Sequence, residues 1–300
     1  MIYLIIAIVS MSCFMLDLKL LNIKGLNVSQ AIITNYVLAL ALAVFTNLGN
    51  LSWSGFAGIF ENDWWYRGII AGILYFVSMD LMAASTRIAG VAVTTISARA
   101  SLIVPIIWAF VFYGESVTGW QWTGIALVIV ALVMIFYRKT DRNAPLKNTG
   151  NNLAAVLMPL GVFITLGIIS VSMKSSQHLI GQTGNYDTDY PVFQILLFIS
   201  ALAAAVIYYS LRKGRKIFRF DWKSVTGGLI LGTCNYLVTL GIMHGLRTLP
   251  TSVFYTLYNI CVVIIITLAG AMVFREKLGW GKIAGICLAV AAIAILSFTG

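Results

Sequence analysis

The segment GIIAGILYFVSMDLMAASTRIAGVA at positions 68–92 is matched by GLILGTCNYLVTLGIMHGLRTLPTS at positions 228–252. The pairs that lie 160 positions apart are Gly68 and Gly228, Gly72 and Gly232, and Arg87 and Arg247. The pairs that lie 161 positions apart are Glu115 and Glu276, Gly124 and Gly285, Ile125 and Ile286, and Leu127 and Leu288. Both copies are strongly apolar. We therefore predict a membrane protein built from two related halves, an arrangement typical of transporters.

The composition supports a membrane location. Of the 300 residues, 60% are apolar and only 10% are charged, and the mean hydropathy is +0.93. A soluble domain carries roughly 25% charged residues, so most of this chain is expected to face membrane lipids. The net charge is +10, but the basic residues lie between apolar runs instead of interleaving with exposed aromatic residues. This pattern indicates membrane topology, and no nucleic-acid partner is predicted.

Ten apolar segments are long enough to cross a bilayer as helices, because about 20 residues span a core of about 30 Å. They are 2–19, 29–48, 67–86, 89–112, 118–137, 152–173, 191–211, 224–246, 249–273 and 279–298. We predict an all-α integral membrane protein with a five-helix repeat at 1–137, a polar cytoplasmic linker at 138–151 and a second five-helix repeat at 152–300. Since five is odd, the second repeat enters the membrane from the opposite side, and the repeats are inverted.

The basic residues predict the orientation. Sixteen of the twenty Lys and Arg residues lie in odd-numbered connections between spans. Three, namely Arg67, Lys174 and Arg247, lie in even-numbered connections, and Arg99 is inside a span. Because cytoplasmic loops carry the excess of positive charge, both chain ends are predicted to lie outside the cytoplasm, in a multi-pass protein of the inner (plasma) membrane.

Two sets of residues carry a resemblance to a known family. In the first half they are the segment RIAGVA at 87–92, Pro105, Gly114, Glu115 and Gly124. In the second half they are Arg247, Pro250, Glu276 and Gly285, with Ile266 in place of the mid-helix proline. The pattern resembles the EamA-like branch of the drug/metabolite transporter superfamily. The resemblance implies ten helices and a central cavity walled by spans one, three, four, six, eight and nine. Members are usually drawn with both termini in the cytoplasm, contrary to the orientation that the charges predict.

Polar side chains at helical spacing predict the face of this cavity. On span four they are Thr94, Ser97 and Ser101, in line with Pro105. The equivalent stripe on span nine contains Tyr255 and Tyr258, with Asn259 alongside. Aromatic walls would suit a planar or cationic ligand. The complete set of predicted substrate-binding residues is Tyr75, Thr94, Ser97, Arg99, Ser101, Asn235, Tyr255, Tyr258 and Asn259.

Arg99 has two interpretations. A charged group at bilayer depth costs about 2.5–3.5 kcal/mol on insertion scales, so it is a functional candidate. It could contact a carboxylate or phosphate of the substrate, or it could form a structural ion pair with Asp80 or Asp17. Helical geometry places Arg99 more than about 90° away from the polar stripe, which favours the ion pair. Asp80 could instead bind a coupling proton, and Asp17 could simply lie at the membrane interface.

Glycine pairs separated by three residues predict close contacts between helices. The pairs are Gly68 and Gly72, Gly228 and Gly232, Gly241 and Gly245, and Gly281 and Gly285. Glu115 and Glu276 lie in turns, where we expect each carboxylate to accept hydrogen bonds from N–H groups at a helix start.

The leading functional hypothesis is a secondary transporter that works by alternating access, as an exporter or exchanger. Its predicted cargo is a small polar or amphipathic metabolite, with an amino-acid-like zwitterion favoured and a coupling proton or counter-substrate as partner. The alternatives are a transporter of a cationic amine or drug, a lipid flippase, or a membrane protein that transports nothing. No Walker A motif occurs, and His178 and His244 belong to no catalytic or metal-binding pattern. We therefore predict no enzyme activity, cofactor or metal, and a monomer or homodimer.

Overall fold

The computed structural model describes residues 1–49, 60, 62–89, 91–136, 152–213, 221–273 and 280–299, and their regular structure is helical. The helices in these ranges are α1 Ile2–Ile23, α2 Val28–Phe45, α3 Trp65–Ile88, α4 Val91–Ala100, α5 Ile103–Tyr113, α6 Gly119–Phe136, α7 Asn152–Gln182, α8 Tyr186–Lys213, α9 Trp222–Thr248, α10 Thr251–Val273 and α11 Trp280–Thr299. The polar linker predicted at 138–151 lies outside the described residues.

The described part of the chain is all-helical, and its apolar helices are those of a multi-pass membrane protein. In the described residues, eight helical segments are long and apolar enough to cross a bilayer. They are α1, α2, α3, α7, α8, α9, α10 and the segment Val93–Tyr113, which contains most of α4 and all of α5. The fifth and tenth predicted spans correspond to shorter apolar stretches within α6 and α11, at Gly119–Ala131 and Ile283–Ala292.

The sixth predicted span is longer than the sequence indicated. The predicted span ends at residue 173, but α7 continues to Gln182. No proline interrupts this extension, and a left-handed residue, Gly184 with φ 74°, comes only after it. Lys174 therefore lies inside a membrane-length helix, which corrects its assignment to an even-numbered connection.

The fourth predicted span consists of two helices, with a break at Ser101 and Leu102. Pro105 lacks a backbone N–H and cannot bond the carbonyl oxygen four residues earlier, at Ser101. The Val104 N–H donates to this oxygen instead, at 3.1 Å, in a tighter turn. The break thus has a local cause, and it places Arg99 in the last turn of α4.

The helices form two compact units, and each unit contains segments from both sequence halves. Unit 1 comprises Met1–Phe76 and Val171–Leu249, and unit 2 comprises Val77–Ser170 and Pro250–Gly300. Both α3 and α7 contribute to the two units.

In unit 1, the glycine contacts show the relative directions of neighbouring helices. A Cβ atom on Gly72 would lie 2.1 Å from the Leu197 carbonyl oxygen, and one on Gly68 would lie 3.1 Å from the Phe193 ring. The later glycine of α3 contacts the later residue of α8, so α3 and α8 run in the same direction.

The repeat-related glycines of α9 contact α2 in the same way. A Cβ atom on Gly228 would lie 2.7 Å from the Ala31 carbonyl oxygen, and one on Gly232 would lie 2.7 Å from that of Asn35. Hence α9 and α2 also run in one direction.

The α1 and α9 helices run in opposite directions. Gly241, near the end of α9, approaches Tyr3 at the start of α1, with 2.7 Å between a built Cβ and the Tyr3 carbonyl oxygen. Gly227, near the start of α9, approaches Leu21 at the end of α1.

In unit 2, Glu115 caps the N-terminus of α10. Its Oε2 atom accepts a hydrogen bond from the Thr251 backbone N–H at 2.8 Å, and its Oε1 atom accepts one from the Thr251 hydroxyl at 2.9 Å. This confirms the predicted capping role, although the helix start belongs to the other half of the chain. Glu276 lies outside the described residues. Gly281 at the start of α11 approaches Met134 near the end of α6, so these two helices are antiparallel.

Candidate functional site

Arg99 in unit 2 joins α4 to α10. Its Nη1 atom donates to Asn259 Oδ1 at 3.0 Å, while the Asn259 amide donates to the Tyr255 carbonyl oxygen at 2.9 Å. Arg99 also lies in the last turn of α4, where the partial negative charge of a helix C-terminus favours a cation. The structure therefore brings two predicted site residues, Arg99 and Asn259, into direct contact.

Tyr255 and Tyr258 are buried on α10. The Tyr255 hydroxyl donates to the Ser170 carbonyl oxygen on α7 at 3.1 Å. Tyr258 stacks on Phe254, with ring centroids 6.0 Å apart and an interplanar angle of 11°. Tyr255 thus has a structural contact within unit 2 in addition to its predicted role.

The predicted polar stripe on span four is partly used by local hydrogen bonds. The buried hydroxyls of Thr94 and Ser85 lie 2.6 Å apart and connect α4 to α3. Ser101 donates to the Ala98 carbonyl oxygen at 2.7 Å, immediately before the helix break. Ser97 is half-buried.

In unit 1, Tyr75 and Asn235 belong to one polar network. The Tyr75 hydroxyl is hydrogen-bonded to Thr239, whose own hydroxyl donates to the Asn235 carbonyl oxygen at 3.0 Å. The Asn235 amide donates to Asn35 Oδ1 at 3.2 Å. The network links α3, α9 and α2, so the sequence prediction found two of its members.

This network is flanked by buried polar atoms whose hydrogen-bonding capacity is unused. Asn35 Nδ2 and Gln194 Oε1 have no hydrogen-bond partner among the residues that the structure describes. The Gln194 amide nitrogen donates to the Tyr236 carbonyl oxygen at 3.4 Å. Buried groups of this kind are normally satisfied by protein, ordered water or a bound group. Asn35 and Gln194 have no exposed surface, so these unpaired atoms lie inside the helix contacts of unit 1.

Lys174 is the functional candidate that sequence reasoning missed. Only 6% of its surface is exposed, inside a 30-residue apolar span. Its buried neighbours along α7 are Ser172, Ser175, Ser176 and Gln177. The hydroxyls of Ser175 and Ser176 have no hydrogen-bond partner in the described ranges. The signal in the sequence was a polar stretch without a helix breaker, which continues a membrane span.

The two aspartates fall in different units. Asp17 is half-buried on α1 in unit 1, and Asp80 is half-buried on α3 in unit 2. The ion-pair and proton-coupling roles of both residues stay predictions. Within the described ranges, no cluster of three or more His, Cys, Asp or Glu side chains could hold a metal ion.

Comparison with known proteins gives a fold but no activity. No protein-family model matches the chain. A protein of Haemophilus influenzae (strain ATCC 51907 / DSM 11121 / KW20 / Rd), described as uncharacterized, is 27% identical over 290 residues, which cover 94% of this chain and 92% of the other. The crystal structure of a further protein is similar with a TM-score of 0.73 at 12% identity, covering 98% of this chain and 96% of that one. This structural likeness concerns the fold alone.

Proposed function

We propose that this chain is a secondary transporter that moves a small metabolite with an acidic group, an amino-acid-like zwitterion being favoured, by alternating access. The observation that carries the proposal is the broken span formed by α4 and α5, with Arg99 at the break. Substrate sites of secondary transporters are typically built at interrupted helices near the bilayer midplane, where helix ends and their side chains face the ligand.

Helix directions support the inverted five-helix repeats that this mechanism uses. If consecutive spans alternate in direction, inversion makes spans three and seven parallel, and spans one and eight antiparallel. The contacts of α3 with α8 and of α1 with α9 have these directions. Two repeats inserted the same way would give the opposite directions in both cases.

Two buried or half-buried cations support an acidic substrate. Arg99 lies at the break in unit 2, and Lys174 lies in the polar part of α7 in unit 1. Ionisable side chains in membrane spans commonly mark substrate or ion pathways. Taken separately in its own unit, each positive charge favours a carboxylate-bearing ligand over the alternative of a cationic amine or drug.

The resemblance of 87–92, Pro105 and Glu115 to the EamA-like drug/metabolite transporters supports the same class. We propose ten spans accordingly, with α6 and α11 as the fifth and tenth, and a location in the inner membrane. The substrate would reach the site without ATP, by exchange or proton coupling.

Flux into liposomes tests the proposal. The purified chain would be reconstituted and assayed with labelled amino acids, amines, organic acids and nucleosides. We expect uptake of an amino-acid-like zwitterion above that of protein-free vesicles. The variants Arg99→Met and Lys174→Met should each reduce uptake at least roughly tenfold, because a hydrogen bond to a charged group is lost. Lys223→Met, at an exposed lysine, is the matched control and should transport normally.

Absence of flux for every compound would refute the transport proposal. Uptake restricted to amines, and unaffected by Arg99→Met, would refute the acidic substrate and favour the cationic alternative.

A further inference from the structure

Five side chains form an aromatic cluster at one end of unit 1, and the predicted site does not use them. The cluster comprises Tyr3 on α1, Tyr186 and Tyr190 on α8, and His244 and Arg247 on α9. The Tyr3 and His244 rings stack with centroids 4.7 Å apart, and Tyr190 meets His244 edge-on at 4.9 Å. The Arg247 guanidinium lies 4.6 Å above the Tyr186 ring. These contacts hold the start of α8 against the end of α9.

The cluster contains two buried hydroxyls that bond to nothing in the described part of the chain. Tyr186 and Tyr190 are only 6% and 4% exposed, and neither phenolic oxygen has a hydrogen-bond partner there. Both oxygens are closed off from solvent, so no ligand or water reaches them in this arrangement. A buried, unsatisfied hydroxyl is unfavourable. The rings therefore favour the closed cluster, while the hydroxyls favour its opening.

The turn that carries both tyrosines is bounded by two backbone features that allow it to pivot. On one side lies Gly184 in the left-handed region, with φ 74°. On the other side, Pro191 lies inside α8 and cannot bond the carbonyl oxygen of Asp187. Helices bend at such positions. The Thr183 hydroxyl, which lies before Gly184, donates to Asp189 Oδ2 within the turn at 2.6 Å. This hydrogen bond crosses the pivot, so it belongs to the closed state and breaks when the turn swings away.

We propose that the first turn of α8 is a hinged aromatic latch that opens and closes one end of unit 1. In the closed state Tyr186 and Tyr190 pack on His244 and Arg247. In the open state the turn swings about Gly184 and Pro191, and water satisfies both hydroxyls. As the regulation of access during transport, this role rests on the proposed function, but the latch motion itself can be measured without any substrate.

Hydrogen–deuterium exchange of the full chain in nanodiscs tests the latch. The double variant Tyr186→Phe/Tyr190→Phe keeps both rings and removes both unsatisfied hydroxyls, so it should favour the closed state. We expect backbone amides at 184–192 to exchange at least roughly tenfold more slowly, and the thermal midpoint to rise. The variant Tyr186→Ala/Tyr190→Ala removes the rings and should exchange faster.

Tyr236→Phe is the matched control. Tyr236 is also a buried tyrosine of unit 1, but its hydroxyl lies 2.7 Å from the Thr46 hydroxyl. This variant should lower the thermal midpoint and leave exchange at 184–192 unchanged. Unchanged or faster exchange in the double Phe variant would overturn the latch, because the hydroxyls would then have partners in the closed state.

Flux measurements separate the two proposals. If the chain transports, the double Phe variant should turn over more slowly, because the latch opens less often. If no compound is transported but exchange slows as expected, the proposed function fails and the latch stands. If transport is found and exchange does not slow, the latch fails and the proposed function stands.

Discussion

Units 1 and 2 both join helices from the two sequence halves, but they do so with different chemistry. In unit 1 the joints include close backbone contacts at glycines, such as Gly72 against Leu197 and Gly232 against Asn35, beside side-chain hydrogen bonds such as that from Asn235 to Asn35. In unit 2 the joints include side-chain hydrogen bonds, from Arg99 to Asn259 and from Thr251 to Glu115. A contact between two backbones cannot adapt by a change of rotamer, whereas a side-chain hydrogen bond can re-form after a small shift of the helices. We therefore expect unit 1 to be rigid away from its latch and unit 2 to be adjustable.

Two repeat-related glycines within unit 1 also differ in whether the atom that they approach can move. A Cβ atom on Gly68 would meet the Phe193 ring at 3.1 Å, and a ring can turn aside. A Cβ atom on Gly228 would meet the Ala31 carbonyl oxygen at 2.7 Å, which cannot move without α2. The sequence repeat therefore specifies where helices touch, but the neighbouring atom decides how strictly glycine is required.

The largest effect is expected from Gly72→Ala. The new methyl group would lie 2.1 Å from the Leu197 carbonyl oxygen and 2.0 Å from the Ser200 hydroxyl oxygen, which forces α3 and α8 apart. Overpacking of this kind costs up to about 3 kcal/mol of unfolding free energy, whereas Gly68→Ala should cost only about 1 kcal/mol. Equilibrium unfolding of the purified variants in mixed micelles measures both values.

Gly119→Ala supplies the control for this pair, because nothing lies within 4 Å of a Cβ atom at that position. It should unfold like the original chain. If Gly68→Ala and Gly72→Ala lose equal amounts of unfolding free energy, contacts with a ring and contacts with the backbone do not differ in cost.

A smaller effect is expected in unit 2 from Glu115→Ala. The substitution removes both acceptors of Thr251 at the start of α10 and should cost about 2 kcal/mol, because hydrogen bonds to a charged group are lost. Glu115→Gln retains one carbonyl oxygen and should cost less. The same unfolding assay applies, and an unchanged stability of the Ala variant would show that side-chain joints do not hold unit 2 together.

The joints were largely predictable from sequence. Close contacts at Gly68, Gly72 and Gly228 were predicted from spacing alone, and so was the capping role of Glu115. Each depends on a local rule, either the small size of glycine or the charge of a carboxylate at a helix start. These local rules do not identify the helix that each residue contacts. The repeat relates positions along the chain, whereas the contacts pair helices from different halves.

Lys174 and Arg99 show where sequence reasoning stops. The sixth predicted span ends at residue 173, immediately before the charged Lys174, yet no local breaker ends the helix there. The burial of Lys174 depends on tertiary packing. The direction of Arg99 was judged from helical geometry within one span. Its actual partner, Asn259, lies on another helix, and geometry within one span cannot identify a neighbour.

The smallest expected effect concerns the helix cap Asp221 in unit 1, which tests whether glycine contacts contribute more to the stability of that unit. Asp221 caps the start of α9, and hydrogen bonds from the Ser224 hydroxyl and from the backbone N–H groups of Ser224 and Lys223 hold the pKa of its carboxyl below the ordinary value of 3.8. Because the folded pKa is the lower one, the stabilisation is present above about pH 3.8 and is lost as the pH falls through the folded pKa. Asp221→Asn should therefore lower the thermal midpoint slightly at about pH 7, and the difference from the original chain should shrink steadily as the pH falls below 3.8. A difference that stays constant across this range, or that exceeds the loss caused by Gly72→Ala, would contradict the view that unit 1 is held mainly by its backbone contacts.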